Sequence, residues 1–600
     1  MTQRSGESKR KVFCLLARRT ITVLSAVLLF GGCASTPRTT LSSAPADLVI
    51  VNARVWTGAD SPSEREPSAI LIRGDRIAAV GSHREVWSKV GSNTRVIDAA
   101  GRRVIPGVTD SHTHIISGGF QLARLNLRDV RSRQEFIDAI GREAKGKLAG
   151  QWVLGGRWSV ESWERPESPT RFWLDPVTGD TPAFLSRMDG HQALVNTAAL
   201  KLAGIDATGP VDPKGGEIER DPKTGEPTGI LKESAMGLVS RFIPDATENE
   251  RYEALLRAMK HANALGITSV QDMCDPDDVE VFRRAEREGA ISVRVTAYLS
   301  TSDWTGYADS VRSRVNASTS HWAIDADRLP RTGTESDWVR VAGFKGYMDG
   351  SLGSRTAYMR EPYADATPET PYPRGQLTAF ADPWESFAER VAEADKLGFQ
   401  IAVHAIGDEA IHLLLNAYEH AGKQNGEHNA QHRVEHAQHL LVEDIPRFAK
   451  LGVVASMQPF HKGDDGRYAE KALGTERLKG SYAFRQLVDA GALVVFGSDW
   501  PVVTLNPFAG VDSAVNAKTL AGQVWLPSHS LTVEEALRSY TLWPAKAIHR
   551  DDRLGSIEVG KYADMLILAD DPLMISKDQL AGVRVDYTMV DGRIVFQREP

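Results

Sequence analysis

Hydrophobic and polar positions divide this chain into two kinds of segment. At both ends, short β-branched runs alternate with turn residues: 47–52, 69–73, 76–80 and 95–98 near the start, with Gly74-Asp75 as a hairpin signal. Residues 564–568, 583–590 and 593–596 have the same character, with Asp591-Gly592 as the turn. The middle instead alternates β-rich runs with helical patterns. The runs are 104–114, 267–272, 293–299, 339–347, 400–404, 432–436, 453–458 and 493–499. Helical periodicity falls at 251–265, 278–289, 384–397, 408–421, 442–450, 481–490 and 533–548. Eight such strands are what a closed (β/α)8 barrel needs, so the expected class is α/β with a TIM-like barrel. The terminal runs predict one composite β-sandwich, built from 47–105 plus 555–600, with the barrel emerging between them over 106–554.

Two segments break the repeat. Residues 115–250 form a long insertion after the first barrel strand, carrying Trp152, Trp158, Trp163 and Trp173. Residues 350–380 form a Gly/Pro/Tyr-rich loop after the fourth. Insertions at the C-terminal ends of barrel strands overlie the active site, so both are candidate lids. Most of the tryptophans are expected to pack a small core belonging to the insertion itself.

Composition changes this picture only at the N-terminus. Over 600 residues, 42% hydrophobic and 25% charged content describe an ordinary globular protein. A net charge of -7 leaves no basic footprint for nucleic acid. Residues 1–32, however, set Lys9, Arg10, Lys11, Arg18 and Arg19 before an apolar run from Ile21 to Phe30, as a secretory signal does. That run is too short to span a bilayer as a mature helix. Cys33 after Gly31-Gly32 resembles a bacterial lipobox, with lipid attached to Cys33 and 33–46 as a Ser/Thr/Pro-rich tether. The expectation is an exported protein anchored by lipid in the cell envelope. Ala34 favours the periplasmic side of the outer membrane, with the anchor as the sole membrane contact. Of the three cysteines, Cys14 leaves with the signal and Cys33 is lipidated. Cys274 then has no partner, so the fold rests on no internal disulfide, and Cys274 is read as core.

The chemistry starts at 106–114, a strand ending in His112 and His114. Spacing i, i+2 on a strand puts both imidazoles on one face, as two ligands of one ion require. With 16 histidines, about 0.4 such pairs arise by chance, so the weight rests on the other strand ends. Those ends, which converge in a barrel, carry Lys345, His404, His436 and Asp499. Imidazole and carboxylate suit Zn²⁺, with Fe, Mn or Ni as alternatives.

Two His, a Lys, two further His and an Asp in that order resemble the amidohydrolase superfamily, over nearly the whole chain beyond the signal. The resemblance narrows to its YtcJ-like branch, which includes the N-substituted formamide deformylases. The motifs carrying it are Asp189-Gly190-His191, Gly215-Gly216-Glu217-Ile218, 225–231, 266–272, Lys345 through Thr356, His432 through Gln438, Met457-Gln458-Pro459, Gly497-Ser498-Asp499-Trp500-Pro501 and 562–568. The resemblance implies that His112, His114 and Asp499 bind a first metal. His404 and His436 then bind a second or orient substrate, and Lys345, if carboxylated, bridges the two. A free ammonium has no lone pair and could not.

A bound metal lowers a water's pKa to about 7 and polarises an amide carbonyl. Asp499 is expected to take the proton and deliver it to the leaving nitrogen. His191, Arg355 and His461 are candidate substrate-binding residues. His412, His420 and His428 are read as solvated, and His432 and His439 as structural. The expected partner is a small amide-like substrate, and a homodimer is compatible with the sequence. Two rivals stand beside this reading. The same site serves a lactonase, esterase or deaminase, or the chain is a lipid-anchored binding protein with a vestigial site.

Overall fold

The computed structural model describes residues 48–599 except 62–64, 149, 162, 301–303, 305, 307–335 and 427–428. The expected signal (1–32), tether (33–46), lipidation at Cys33 and the solvated His428 therefore lie outside the described residues. Among the described residues, no helix is long and apolar enough to cross a membrane.

Eight parallel strands form one sheet in strict chain order: β1 (Val108–Thr113), β2 (Ile267–Cys274), β3 (Arg294–Ser300), β4 (Val339–Tyr347), β5 (Gln400–Ala405), β6 (Arg433–His436), β7 (Val454–Met457) and β8 (Val494–Phe496). Helices cover the outside, where Val295, Ala297, Leu299, Ile401 and Val403 join the main apolar core, while buried polar side chains such as Thr296, Arg433 and Glu435 alternate with the apolar positions. The ring closes just beyond the strand ends. The Asp499 amide donates to the His112 carbonyl (2.7 Å), and the His114 amide to that of Trp500 (2.8 Å). The seam between first and last strand is thus tied by residues of the candidate site.

The first predicted strand, 104–114, is two. Arg103–Pro106 pairs antiparallel with Met565–Leu568 in a five-stranded sheet, and only Val108–Thr113 enters the barrel. The break is at Gly107, where a Cβ would lie 2.3 Å from the Thr268 hydroxyl, so the chain turns where no other residue fits.

The five-stranded sheet also holds Arg54–Val55, Val585–Val590 and Arg593–Gln597. A four-stranded sheet of Leu48–Val51, Ala69–Arg73, Arg76–Gly81 and Arg95–Asp98 packs against it. Leu48, Ile50, Ile70 and Ile72 meet Val104, Met565, Ile567 and Met589 between the sheets, while the alternate residues Val49, Val51 and Leu71 face away. On its other face, Ile105, Leu566 and Leu568 join the barrel core.

The insertion folds into a six-stranded sheet, ordered 216–220, 227–233, 192–195, 183–187, 153–158 and 125–126. Trp158, Trp163 and Trp173 pack with Phe136 on one face, and Trp152 joins Leu200 and Leu231 on the other. These tryptophans form the insertion's own core. The loop after β4 is held down by Asp349, whose buried carboxylate accepts from the amides of Tyr358, Ile406 and Gly407 at 2.8, 3.0 and 2.8 Å.

Candidate metal centre

The strand ends bring the expected residues to one rim. His112 and His114 share a face, with ring centroids 5.7 Å apart, while Thr113 between them points away to Asp272 (2.8 Å). Asp499 Oδ1 lies 3.5 Å from His112 Nε2 and 3.3 Å from His114 Nε2. The His436 ring is 5.0 Å from that of His112 and 4.5 Å from that of His404. Lys345 Nζ is 3.3 Å from His112 Nε2. Among the described residues, His112, His436 and Asp499 offer three ligand atoms all within 4.8 Å of one another.

Backbone geometry at the rim is costly. His436, Ala437 and Asp499 have φ of 75°, 44° and 57°, a region that side chains rarely adopt. Gly497 lies against β1, where a Cβ would meet the His112 amide at 2.4 Å. Such strain persists where surrounding structure enforces it.

Each imidazole has one nitrogen engaged away from the rim. His112 Nδ1 donates to Glu435 (2.5 Å), His114 Nδ1 to the Met273 carbonyl (2.8 Å), and His436 Nδ1 to Gln458 Oε1 (2.7 Å). These acceptors carry no proton, so the ring nitrogen must, and Nε2 keeps its lone pair. His404 is reversed: its Nε2 donates to the Gly350 carbonyl (3.1 Å), leaving Nδ1. Oriented, singly committed imidazoles beside a carboxylate are the donor set a divalent cation takes.

Charge states agree. Burial, then the Lys345 charge, pulls the His112 pKa down to about 4. Burial and neighbouring cationic groups hold His404 and His436 well below the usual imidazole range, so all three are neutral at neutral pH, as ligands must be. Burial alone would raise the Asp499 carboxyl, but His112, His114 and His436 offset this and hold it well below the usual carboxylate range. Burial lowers Lys345 to about 8, against the pull of Glu435 and Asp499.

Several supporting residues escaped the sequence reading. Arg433 and Glu435 flank Val434 on β6; Val434 joins the outer core while both charges point into the barrel, where Arg433 Nε is 2.6 Å from Glu435. Arg433 also donates to the Ser111 carbonyl (2.6 Å), Ser456 (2.8 Å) and Gln271. Asp110 ties β1 to β8, accepting from the amides of His112 (3.1 Å) and Ser498 (2.9 Å). The signal for the first pair was available: two opposite charges at i, i+2 inside an apolar barrel strand must point inward together.

Above the ligands is a cavity of about 330 Å³, lined by His112, His114, Lys345, His404, His436 and Asp499 below and by insertion residues above. His191 lines it, its ring 5.5 Å from that of His404 and its Nδ1 3.0 Å from Glu233. Burial opposes protonation of His191, but Glu233 and Asp189 raise its pKa to about 9. His461 also lines the cavity, stacked 6.2 Å from His436. Arg355 does not line it. Its guanidinium is held by Asp365 (2.7 Å) and the Leu352 carbonyl (2.6 Å), because the loop supplies its own acid ten residues on. The sequence reading singled out neither Arg157 nor Tyr468, and both line the cavity. His412, expected in solvent, instead bonds Asp444 (3.0 Å). His432 and His439 bond Asp395 (2.9 Å) and Ser481 (2.8 Å), away from the cavity. Cys274 is buried in the barrel core.

Set beside known proteins, the chain matches the amidohydrolase family over residues 95–596. It is 37% identical over 556 residues to LONG AFTER FAR-RED 3 of Arabidopsis thaliana, covering 90% of each chain. It is 32% identical to the N-substituted formamide deformylase of Arthrobacter pascens, over 92% of this chain and 98% of that protein. A solved structure of an uncharacterised metal-dependent hydrolase from Pyrococcus horikoshii is similar, with a TM-score of 0.69 at 27% identity, covering 89% of this chain and 99% of that one.

Proposed function

The chain belongs to the amidohydrolase family, and from that premise we propose that it is a zinc-dependent hydrolase of a non-peptide, amide-type C–N bond in a small molecule. The observation that carries this reading is the convergence of four half-committed imidazoles and Asp499 beneath one cavity. His112, His114 and Asp499 would hold one divalent cation, with His436 beside them and His404 completing the rim. A carboxylated Lys345 is the candidate bridge to a second ion. When bound, the cation supplies Lewis-acid polarisation of the substrate carbonyl and acidifies water.

The chain's own groups manage the protons. Asp499, kept ionised by its imidazole neighbours, accepts a proton from the attacking water at Oδ2 or Oδ1. The water oxygen bonds to the carbonyl carbon. Asp499 then returns the proton to the nitrogen as the C–N bond breaks, so a neutral amine leaves together with a carboxylic acid. His191, charged at neutral pH, faces the same space and is suited to donate to the carbonyl oxygen as negative charge develops there.

The test is elemental analysis of purified protein together with a panel of formamides, N-acyl amines, cyclic amides and lactones. Stoichiometric zinc and cleavage of an amide are expected. Protein that retains no metal, or that opens only lactones, overturns the reading.

A further inference from the structure

The upper wall of the cavity contains one arginine, Arg157, and its surroundings are unusual. It lies on the strand Val153–Trp158, which pairs in parallel with Ala183–Arg187. Gly156 opposes Ser186 and Trp158 opposes Arg187, so Arg157 has no opposite number. It is the extra residue of a β-bulge, a device that re-aims a side chain. Its φ is 61°, and Gly155 and Gly156 before it are at 128° and 113°. Both glycines are required by close backbone approach: a Cβ would meet the Leu125 carbonyl oxygen at 2.2 Å and that of Ser186 at 2.5 Å. Two glycines in backbone regions that only glycine adopts freely, followed by Arg157 itself at positive φ, therefore turn this one guanidinium into the cavity.

Once there it has no hydrogen bond or ion pair among the described residues. Nearby arginines are all engaged. Arg187 holds Asp189 (2.5 Å) and Glu161, and Arg128 donates to the carbonyls of Pro501 (2.8 Å) and Val502 (2.6 Å). Asp499 is the acid Arg157 feels most, then Asp189; neither bonds it, and Asp189 is further occupied by Ser351 (3.2 Å) and the His191 amide (3.1 Å). Burial and the neighbouring Arg128 lower the Arg157 pKa only to about 10, which leaves it positive at neutral pH. A half-buried guanidinium with no direct partner carries a desolvation cost, and such a charge is retained where a ligand supplies the counter-charge. A planar, two-pronged guanidinium matches a carboxylate.

We propose that Arg157 is the receptor for a substrate carboxylate, so that the enzyme acts on N-acyl amino acids and similar anionic amides in preference to neutral ones. The inference rests on the amide-hydrolase reading for the reaction, but not for the binding. The acyl carbonyl would lie at the rim of imidazoles and the carboxylate across the same cavity. A space of about 330 Å³ suits a small acyl amino acid.

The test pairs N-formyl and N-acetyl derivatives of glycine, leucine and phenylalanine with their carboxamides, using zinc-loaded protein. At least one acid should exceed its carboxamide in kcat/KM by about 10- to 100-fold. Arg157→Met should bring that ratio near unity, and Arg157→Lys should retain part of it. Arg157→Met should also melt no lower than the parent, since it deletes a half-buried charge with no direct partner, whereas replacing a structural arginine would lower the melting temperature. Calorimetric binding of the same acids to Asp499→Asn, with and without Arg157→Met, separates this inference from the hydrolase reading. Arg157-dependent binding without turnover by the parent sustains the receptor and sinks the hydrolase. Amide turnover with no preference for acids, or no Arg157-dependent binding by any acid, overturns the receptor.

Discussion

Glu435 lies 2.5 Å from Nδ1 of His112, and the same carboxylate accepts from Arg433 Nε at 2.6 Å. Burial works against its ionisation, yet Arg433 and His112 hold it far below the usual carboxylate range. A fixed anion therefore sets the His112 tautomer and makes Nε2 a better donor. Glu435→Gln keeps the shape but loses the charge, and should weaken zinc affinity about 10- to 100-fold, read by competition with a chromophoric chelator. Glu435→Ala strands the buried Arg433 guanidinium and should cost about 3–5 kcal/mol of stability. Unchanged metal affinity in the Gln variant would remove Glu435 from the centre.

Asp499→Asn tests proton transfer rather than assembly. The amide is isosteric and retains its backbone bond to His112, so the fold should survive with little change in melting temperature. Turnover should fall by about 10²-fold or more, measured at saturating zinc so that weaker metal binding is not mistaken for lost chemistry.

The strands of the barrel were legible because their outward positions are apolar and β-branched, as at Val295, Val339, Val341, Ile401 and Val403, and helical periodicity follows most of them. Period-two spacing likewise put His112 and His114 on one face. What could not be read is which sheet a run joins: 104–106 and 108–113 are equally β-branched, and a side-chain collision at Gly107, set by the distant Thr268, divides them. Arg355 lies outside the cavity lining for a local reason, its pairing with Asp365, that only loop geometry reveals. Arg157 was overlooked because Gly155-Gly156-Arg157 reads as a weak strand. Its aim depends on the register of a partner strand some thirty residues on.

Lys462 gives a stability that depends on pH in a defined direction. Its side chain is buried, its Nζ lies 5.6 Å from the centroid of the Phe484 ring and donates to the Leu526 carbonyl (3.2 Å), and burial lowers its pKa to about 8. Between pH 8 and the ordinary lysine value near 10.4, the unfolded chain binds a proton that the folded chain does not. Stability from this group therefore rises with pH across that window, and the penalty is fully felt below pH 8. Lys462→Met should stabilise the protein by a few kcal/mol at pH 7, with the advantage gone by about pH 10.5. Paired melting curves at the two pH values check it, and an advantage equal at both would refute the assigned cause.

Arg294, the first residue of β3, is buried, with Nε 2.7 Å from Asp564 and Nη2 2.9 Å from Asp591. This joins the amino end of a barrel strand to the sheet built from both termini, on the side of the barrel opposite the metal rim. Removing one carboxylate leaves a desolvated cation half-compensated, a change that costs about 3–5 kcal/mol where such triads are buried. Asp564→Ala should therefore lower the melting temperature and the denaturant midpoint clearly. Its zinc content and its kcat at 25 °C, measured on protein that remains folded, should stay near the parent values. If kcat fell in step with stability, the terminal sheets would have to shape the rim, and their role as a clamp on the barrel's far end would be wrong.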